Sequence, residues 1–418
     1  MWRVPAGRGL ASLALLISLA AGPALAQPPD LMAEGAKALD AKNYSGAVDL
    51  FSKAVAADPK DYAAHFQLAL SYSLLDKFAE AVPEYKTTLD LHPGLYDAQI
   101  NLGICLLRVK DAAAAIAPLE GAAAQRPKEF RPAYYLGMAR LENRDFPEAA
   151  TAFTAAIALN PAAPGAELGL AHALAAQARL DDAEPHFRRA AQLDPTYKPD
   201  LLALAELYEK AGRATQAIAI YRDFPENPGA QERMGALLSE SGDAAAAIPA
   251  LESAVAKSPT AANRVALAQA YEKNKETAKA IPLVAQALAA APDDYELRMF
   301  YARLLRDQRK FTEAAPQFLA AAKLKPDAVQ PWNELAGVMV VSEQYPQAIA
   351  ALDRVHALGG DTPIHDYLRA ISFDHLHQLK EALSHYNKFL EESHGKSPDE
   401  EFKARQRARI IQSELNRR

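Results

Sequence analysis

Small and large apolar residues recur along this chain with a period of about 34 residues. An alanine occupies one position of each interval, and a bulky apolar residue follows four positions later, as in Ala149 and Phe153. The alanines are Ala47, Ala81, Ala115, Ala149, Ala183, Ala217, Ala247, Ala280, Ala314, Ala348 and Ala382. Residues four apart share one face of an α-helix, so each interval predicts a helix with an apolar face. A periodicity of this length predicts a repeat array.

A second position reserved for small residues lies twelve residues before each alanine. It holds Gly or Ala throughout, in Gly35, Ala69, Gly103, Gly137, Ala171, Ala205, Gly235, Ala268, Ala302, Ala336 and Ala370. Two small residues per interval predict two helices whose backbones approach closely. In most intervals a proline, such as Pro161, follows the alanine by twelve residues. Proline lacks an amide donor and ends the second helix, so each interval is predicted to be a helix-turn-helix.

This pattern resembles the tetratricopeptide-repeat family. The family's signature positions are matched, in one interval, by Leu136, Gly137, Ala149, Phe153, Ala156 and Pro161. The family's early tryptophan occurs here only as Trp332. The resemblance extends from about Leu31 to about His394. It implies an all-α, right-handed superhelical solenoid of about eleven helix-turn-helix repeats, and a role in binding other proteins or peptides.

One interval is shorter than the others and divides the array. The step from Ala217 to Ala247 falls four positions short of the usual spacing, and residues 224–229 within it contain two prolines and a glycine. The second helix of the sixth repeat is therefore predicted to end early, with a kink or change of pitch there. We place the N-terminal half of the array, with six repeats, at residues 27–228. The C-terminal half, with five repeats, then covers residues 229–394.

The last segment, residues 395–418, is predicted to be a capping helix. Ser397 is suited to be its N-cap and Pro398 its first helical residue, with acidic residues in the first turn. The apolar stripe of this helix is Ala404, Ala408, Ile411 and Leu415. A solenoid needs such a cap because its last repeat would otherwise expose an apolar face.

The N-terminal segment, residues 1–26, has the layout of a cleavable secretory signal. Arg3 and Arg8 precede an apolar run over residues 10–21, and Ala24 and Ala26 lie just before the predicted cleavage site. We expect export to the periplasm or secretion, with no integral membrane segment after cleavage. An uncleaved membrane anchor is the alternative. The single cysteine, Cys105, lies within a helical apolar pattern and is expected to be a buried, inert thiol.

Composition and motifs favour binding over chemistry. The net charge of -6 offers no basic footprint for nucleic acid. The sequence has no HExxH, GxSxG or GxxxxGK[ST] motif, so we expect no enzyme activity and no cofactor.

Six of the ten histidines lie in the last part of the chain: His356, His365, His375, His377, His385 and His394. We expect them to be solvated turn residues, and a metal site is the weaker alternative.

The candidate binding residues lie on the first helix of each repeat, three residues before and one after the small position. In the N-terminal half they are Phe66, Leu70, Ile100, Ile104, Tyr134, Met138, Leu168 and His172. Each pair has i, i+4 spacing and shares one helix side, which is predicted to line a concave groove. Polar residues follow at the equivalent positions further on, and Arg303 and Arg306 complete the candidate groove. The apolar part is either exposed for binding or packed against neighbouring helices.

Two functional hypotheses follow. The first is a scaffold or adaptor, in the cell envelope or secreted, that binds partner peptides in the concave groove. The alternative is a carrier or chaperone for an apolar small molecule or lipid in the N-terminal half of the groove.

Overall fold

The computed structural model describes residues 30–417, and within them all regular secondary structure is helical. The range contains twenty-three α-helices and one short 3-10 turn, Pro195–Tyr197. The segment expected to be a secretory signal, residues 1–26, lies outside the described residues. The chain divides into two compact units, the first ending at Ala211 and the second beginning at Gly212.

The first unit is a succession of antiparallel helix pairs. Its helices are α1 (Leu31–Asp40), α2 (Tyr44–Ala57), α3 (Tyr62–Leu74), α4 (Phe78–Leu91), α5 (Tyr96–Arg108), α6 (Ala112–Gln125), α7 (Phe130–Glu142), α8 (Phe146–Leu159), α9 (Pro164–Ala176), α10 (Leu180–Leu193) and α11 (Asp200–Lys210). Each helix packs mainly against the helices before and after it in sequence. This order of contacts is the all-α, paired-helix solenoid that the sequence period predicts.

The second unit continues the same pattern and ends in one longer helix. Its helices are α12 (Ala214–Tyr221), α13 (Pro228–Glu240), α14 (Ala244–Lys257), α15 (Ala261–Lys273), α16 (Thr277–Ala290), α17 (Tyr295–Asp307), α18 (Phe311–Leu324), α19 (Gln330–Val341), α20 (Tyr345–Ala357), α21 (Pro363–His375), α22 (Leu379–Glu392) and α23 (Pro398–Arg417). Helix α23, Pro398–Arg417, lies within residues 395–418, where the sequence predicts a capping helix. Ala404, Ala408 and Ile411 are buried, and Leu415 packs against the same cluster.

Local chemistry sets where the helices begin and end. The Asp61 side chain caps α3 by accepting hydrogen bonds from the amides of Ala63 and Ala64, at 2.9 and 3.3 Å. Each second helix that precedes one of the predicted prolines ends two residues before it, as α8 ends at Leu159 before Pro161. The turn inside most pairs contains one residue in the left-handed region, such as Arg144 with φ 70°.

The two small-residue positions form the core of each pair. Ala149 is fully buried, and Phe153 on the same helix is 1% exposed. The Phe153 ring fills the space above Gly137, where an added Cβ would lie 2.8 Å from the ring. Gly103 meets Leu119 in the same way, at 2.4 Å. Glycine at these helix positions is required by close approach rather than by backbone conformation.

The sixth repeat is irregular, as predicted from its length. Helix α12 has 8 residues, whereas most second helices have 14, and it stops before the proline-rich segment. The division between the compact units comes earlier than the boundary that we placed at residues 228 and 229. Helix α12 packs against α13, and so the second helix of this repeat belongs to the second unit.

Two further features concern membrane and redox chemistry. Within residues 30–417 no helix is both long and apolar enough to cross a bilayer. Cys105 is buried, 2% exposed, as expected from its place in the apolar pattern. Burial raises the pKa of its thiol to about 11, which keeps it protonated and unreactive at neutral pH.

Candidate functional site

The apolar candidate residues lie on one surface of the first unit. Helices α3, α5, α7 and α9 are the first helices of successive pairs, and each contacts the next of this set. We call the surface that they share the first-helix surface. It carries Phe66, Leu70, Ile100, Ile104, Tyr134, Met138, Leu168 and His172. The repeat brings these side chains, which are far apart in sequence, into one row.

Seven of these eight side chains are half-buried, and Ile100 is the exception. Ile100 is 2% exposed and lies inside a core cluster with Leu102 and Leu106. It therefore supplies little accessible surface to the predicted groove. The same cluster contains residues of other helix pairs, such as Tyr85 and Ala139, so packing between repeats contributes to this burial, which the spacing within one helix does not reveal.

The remaining apolar side chains are partly packed and partly accessible. Phe66, Ile104 and Met138 contact the buried cluster around Tyr85 and Leu119 while keeping some exposed surface. Leu70 and Leu168 are also half-buried. The surface is thus neither a fully open apolar trough nor a closed core. It is a row of anchored side chains with accessible parts.

Tyr134 is the centre of an aromatic group on this surface. Its ring stacks on Phe130, with centroids 5.2 Å apart and an angle of 16°, and meets Tyr135 edge-on at 5.3 Å. Burial raises the pKa of Tyr134 to about 12, so its hydroxyl stays protonated and can donate a hydrogen bond. An added Cβ at Gly165 would lie 2.7 Å from that hydroxyl. The absence of a side chain at Gly165 leaves room for the phenol.

His172 ends the apolar row with a titratable group. It meets Phe187 edge-on at 4.8 Å, and its Nε2 lies 3.7 Å from Asp200 Oδ1. Burial lowers the pKa of His172, although Asp200 acts in the opposite direction. The imidazole is therefore neutral at pH 7 and adds no positive charge to this surface.

In the second unit the candidate residues on the first helices are two arginines, Arg303 and Arg306. Arg306 donates to Glu334 on the next first helix and, at 2.9 Å, to Asp307. Arg303 is half-buried and donates from Nε to the Met299 carbonyl at 3.2 Å. Two carboxylates therefore offset the charge of Arg306.

Two residues of the aromatic group were missed by the sequence analysis. Phe130 precedes Tyr134 by four residues, which is the spacing of neighbours on a helix surface and is visible in the sequence. Tyr135 follows Tyr134 directly, and a one-residue step normally turns a side chain to another helix face. The contact between Tyr134 and Tyr135 depends on the tilt of the two rings, which the sequence does not specify.

The late histidines make local contacts. His375 stacks on Tyr345 at 4.5 Å, and His385 Nδ1 lies 2.8 Å from Asp366 Oδ1. The Thr362 amide donates to His365 Nδ1 at 3.0 Å, which closes a capping box at the start of α21. Among the described residues, no three His, Cys, Asp or Glu side chains converge as they would around a metal ion.

Paired helices stacked in sequence order define a helical-repeat protein. A family model described as tetratricopeptide repeat matches residues 32–95, 66–130, 134–198, 232–295 and 265–331. A second model with the same description matches residues 174–240. These matches cover more than half of the chain, which therefore belongs to the tetratricopeptide-repeat family.

Three individual proteins that resemble this chain each match less than half of it. The human protein O-mannosyl-transferase TMTC1 is 25% identical over 192 residues, which is 44% of this chain and 22% of the length of that relative. A solved structure of YrrB, titled as a TPR protein with an unusual peptide-binding site, is 17% identical. The match covers 40% of this chain and 85% of YrrB, with a TM-score of 0.38. MamA from Desulfovibrio magneticus RS-1 is 20% identical over 40% of this chain and 94% of MamA, with a TM-score of 0.37.

Proposed function

We propose that this chain is a scaffold that binds a partner protein through an apolar peptide segment laid on the first-helix surface. The observation that carries the proposal is the row of half-buried apolar side chains from Phe66 to Leu168. Partial packing holds these side chains in place, so binding costs little side-chain entropy. Their accessible parts lose water when a partner covers them, which favours association by about 25 cal/mol per Å² of apolar area.

The test compares two matched pairs of leucines. Leu70→Gln with Leu168→Gln removes apolar area from the first-helix surface. Leu91→Gln with Leu159→Gln removes it from the ends of second helices α4 and α8, where the leucines are 38% and 37% exposed. Circular dichroism first establishes that both double variants fold. Affinity purification from the native cells with quantitative mass spectrometry then measures recovery of each associated protein.

The two double variants should behave differently. We expect recovery of the partner to fall at least tenfold with the first variant and to stay within twofold with the second. Equal recovery with both variants would remove the first-helix surface from the proposal. A partner lost with the second variant alone would place binding on the second helices instead.

The alternative proposal is a carrier of an apolar small molecule or lipid. Such a carrier needs an enclosed apolar site. Clefts of about 300 and 670 Å³ in the first unit are lined by residues of both first and second helices and include charged side chains such as Arg126 and Asp182. Those linings favour the scaffold. Solvent extraction of the purified protein followed by mass spectrometry separates the two, because only a carrier would release a stoichiometric apolar ligand.

We further propose that the scaffold is exported and acts without catalysis, cofactor, metal or nucleic acid. The support for export is the charged, apolar and small-residue order of residues 1–26. Fractionation of cells and sequencing of the mature N-terminus test it, with Ala24→Leu and Ala26→Leu expected to block cleavage. Recovery of uncleaved wild-type protein from the cytoplasm would contradict export.

A further inference from the structure

The last helix, α23, is held in a defined orientation by its contacts. The carboxylate of Glu401 accepts hydrogen bonds from the Ser393 hydroxyl and the Gly395 amide, both at 2.7 Å. Arg407 donates twice to Asp374, at 2.6 and 2.8 Å. The buried stripe that begins at Ala404 packs against the final helix pair. The face of α23 opposite that stripe is therefore presented outward in a fixed way.

That outer face carries two large apolar side chains. Phe402 is 63% exposed and Ile410 is 48% exposed, more than most of the large apolar side chains between residues 30 and 417. Eight residues of α-helix separate them by about 12 Å. Helix caps of solenoids normally have polar outer faces, which keep the end of the array soluble. Two exposed apolar residues on this face are a departure that calls for a covering surface.

The charged groups on the same face are mainly basic and unpaired. Successive residues of an α-helix are turned by about 100° about its axis. Viewed along the axis of α23, the outer face is a sector of about 120° that contains Asp399, Phe402, Lys403, Gln406, Arg409, Ile410, Ser413 and Arg417. Lys403, Arg409 and Arg417 make no ion pair or hydrogen bond with the residues that the structure describes. Asp399 is the only acidic residue of α23 in this sector. By contrast, Arg405 and Arg407 beside this sector are paired with Glu401 and Asp374.

The charge of this face indicates what covers it. A second copy of this chain is disfavoured as the covering surface. If two α23 helices packed antiparallel with Gln406 at the centre, Lys403 of one copy would lie opposite Arg409 of the other, and these like charges repel. An anionic lipid surface complements all three cations at once, at about 1 kcal/mol for each Lys or Arg near the surface. Phe402 and Ile410 then enter the boundary between head groups and acyl chains, as the apolar face of an interfacial helix does.

We propose that the outer face of α23 binds the surface of an anionic phospholipid bilayer. Phe402 and Ile410 insert at the interface, while Lys403, Arg409 and Arg417 contact lipid phosphates. This site lies in the second unit and is separate from the partner-binding surface of the first. The chain would thus be a peripheral membrane scaffold. Loss of partner binding would leave membrane binding in place, and loss of membrane binding would leave partner binding in place.

The test is flotation of the full chain with vesicles of phosphatidylcholine alone or of phosphatidylcholine mixed with about one third phosphatidylglycerol, an anionic lipid. One variant replaces the apolar pair, Phe402→Gln with Ile410→Gln. A second replaces the cations, Lys403→Gln with Arg409→Gln and Arg417→Gln. The control for the apolar pair is Leu91→Gln with Leu319→Gln, at two exposed leucines elsewhere. The control for the cations is Lys53→Gln with Lys86→Gln and Lys128→Gln, at three exposed lysines, which changes the net charge by the same amount. Residues 1–29 are the same in every protein, so their contribution is constant.

We expect wild type to partition onto the anionic vesicles and to bind phosphatidylcholine at least tenfold more weakly. Each α23 variant should lower binding to anionic vesicles at least tenfold, and both controls should stay within twofold of wild type. Raising salt from about 0.05 to 0.5 M should weaken wild-type binding because the charges are exposed. Equal binding by wild type and both α23 variants, or binding indifferent to lipid charge, would overturn the proposal. Capture of a soluble acidic protein on this face without vesicle binding would also overturn it.

Discussion

The first-helix positions of the two units differ in chemistry although the cores beneath them are alike. In the first unit, Phe66, Leu70 and Tyr134 form an apolar and aromatic row. In the second unit, Arg306 is paired with Glu334 on the next first helix. The large core residues are the same type in both units, and Phe153 and Phe318 are 1% and 0% exposed. Core positions are restricted by helix packing, whereas surface positions are free to take on partner-specific chemistry.

The largest expected effect comes from the shared core. Phe153→Ala removes a ring that fills the space between Gly137 and Gly169, and small residues on both sides leave nothing to close the cavity. We expect a loss of about 3–5 kcal/mol in the free energy of unfolding. Urea unfolding followed by circular dichroism measures it, and hydrogen exchange in α7 to α9 locates it. The control Phe402→Ala, at an exposed phenylalanine, should change stability by less than about 0.5 kcal/mol. Similar losses in both variants would contradict this packing.

The same substitution should have opposite signs at a glycine in the packed core and at one with open space around it. Gly103→Ala places a Cβ 2.4 Å from the branched end of the buried Leu119, and we expect overpacking to cost about 1–3 kcal/mol. Gly337→Ala on α19 meets no atom within 4 Å, and should stabilise by up to about 1 kcal/mol through helix propensity. Thermal and urea unfolding of the two variants test this directly. A shift of the same sign in both would show that close approach does not distinguish these glycines.

Features that depend on a single repeat could be predicted from sequence, and features that depend on neighbouring repeats could not. Helix ends before proline, the shortened α12 and the stripe of α23 all follow from local patterns. The burial of Ile100 and the pairing of Arg306 with Glu334 do not, because contacts between separate repeats decide them. The accessible part of the candidate surface is likewise an outcome of inter-repeat packing. Sequence reasoning predicted the row of side chains but not which of them are covered.

A smaller effect concerns the polar cap of α21 in the second unit. His365 Nδ1 accepts the Thr362 amide, which requires an unprotonated nitrogen. Burial lowers the pKa of His365 below its ordinary value of 6.5, against the opposing charge of Asp361. As pH falls through about 6.5, the unfolded chain takes up a proton that the folded chain does not, so the stability that His365 contributes is lost.

The test replaces the titrating group and keeps the acceptor. His365→Gln retains a capping-box oxygen at this position. We expect wild type and variant to be within about 1 kcal/mol of each other at pH 7.5. The variant should become relatively more stable as pH drops toward 5, and the difference between the two urea midpoints measures this. A difference that does not change with pH would show that the proton on His365 is not linked to folding.

The smallest effect should separate the Arg306–Glu334 pair of the second unit from the apolar first-helix surface of the first unit by their response to salt. Arg306 and Glu334 have side chains that are 34% and 20% exposed, so solvent screens their interaction and it is worth only about 0.2–1 kcal/mol. Glu334→Gln should lose this amount at about 0.02 M salt and much less at about 0.5 M salt, because the Debye length shortens. Leu70→Gln on the apolar surface should show a stability change that does not shrink with added salt. A salt-independent loss in Glu334→Gln would mean that Arg306 and Glu334 stabilise the fold by packing. The ionic character assigned to this pair would then be wrong.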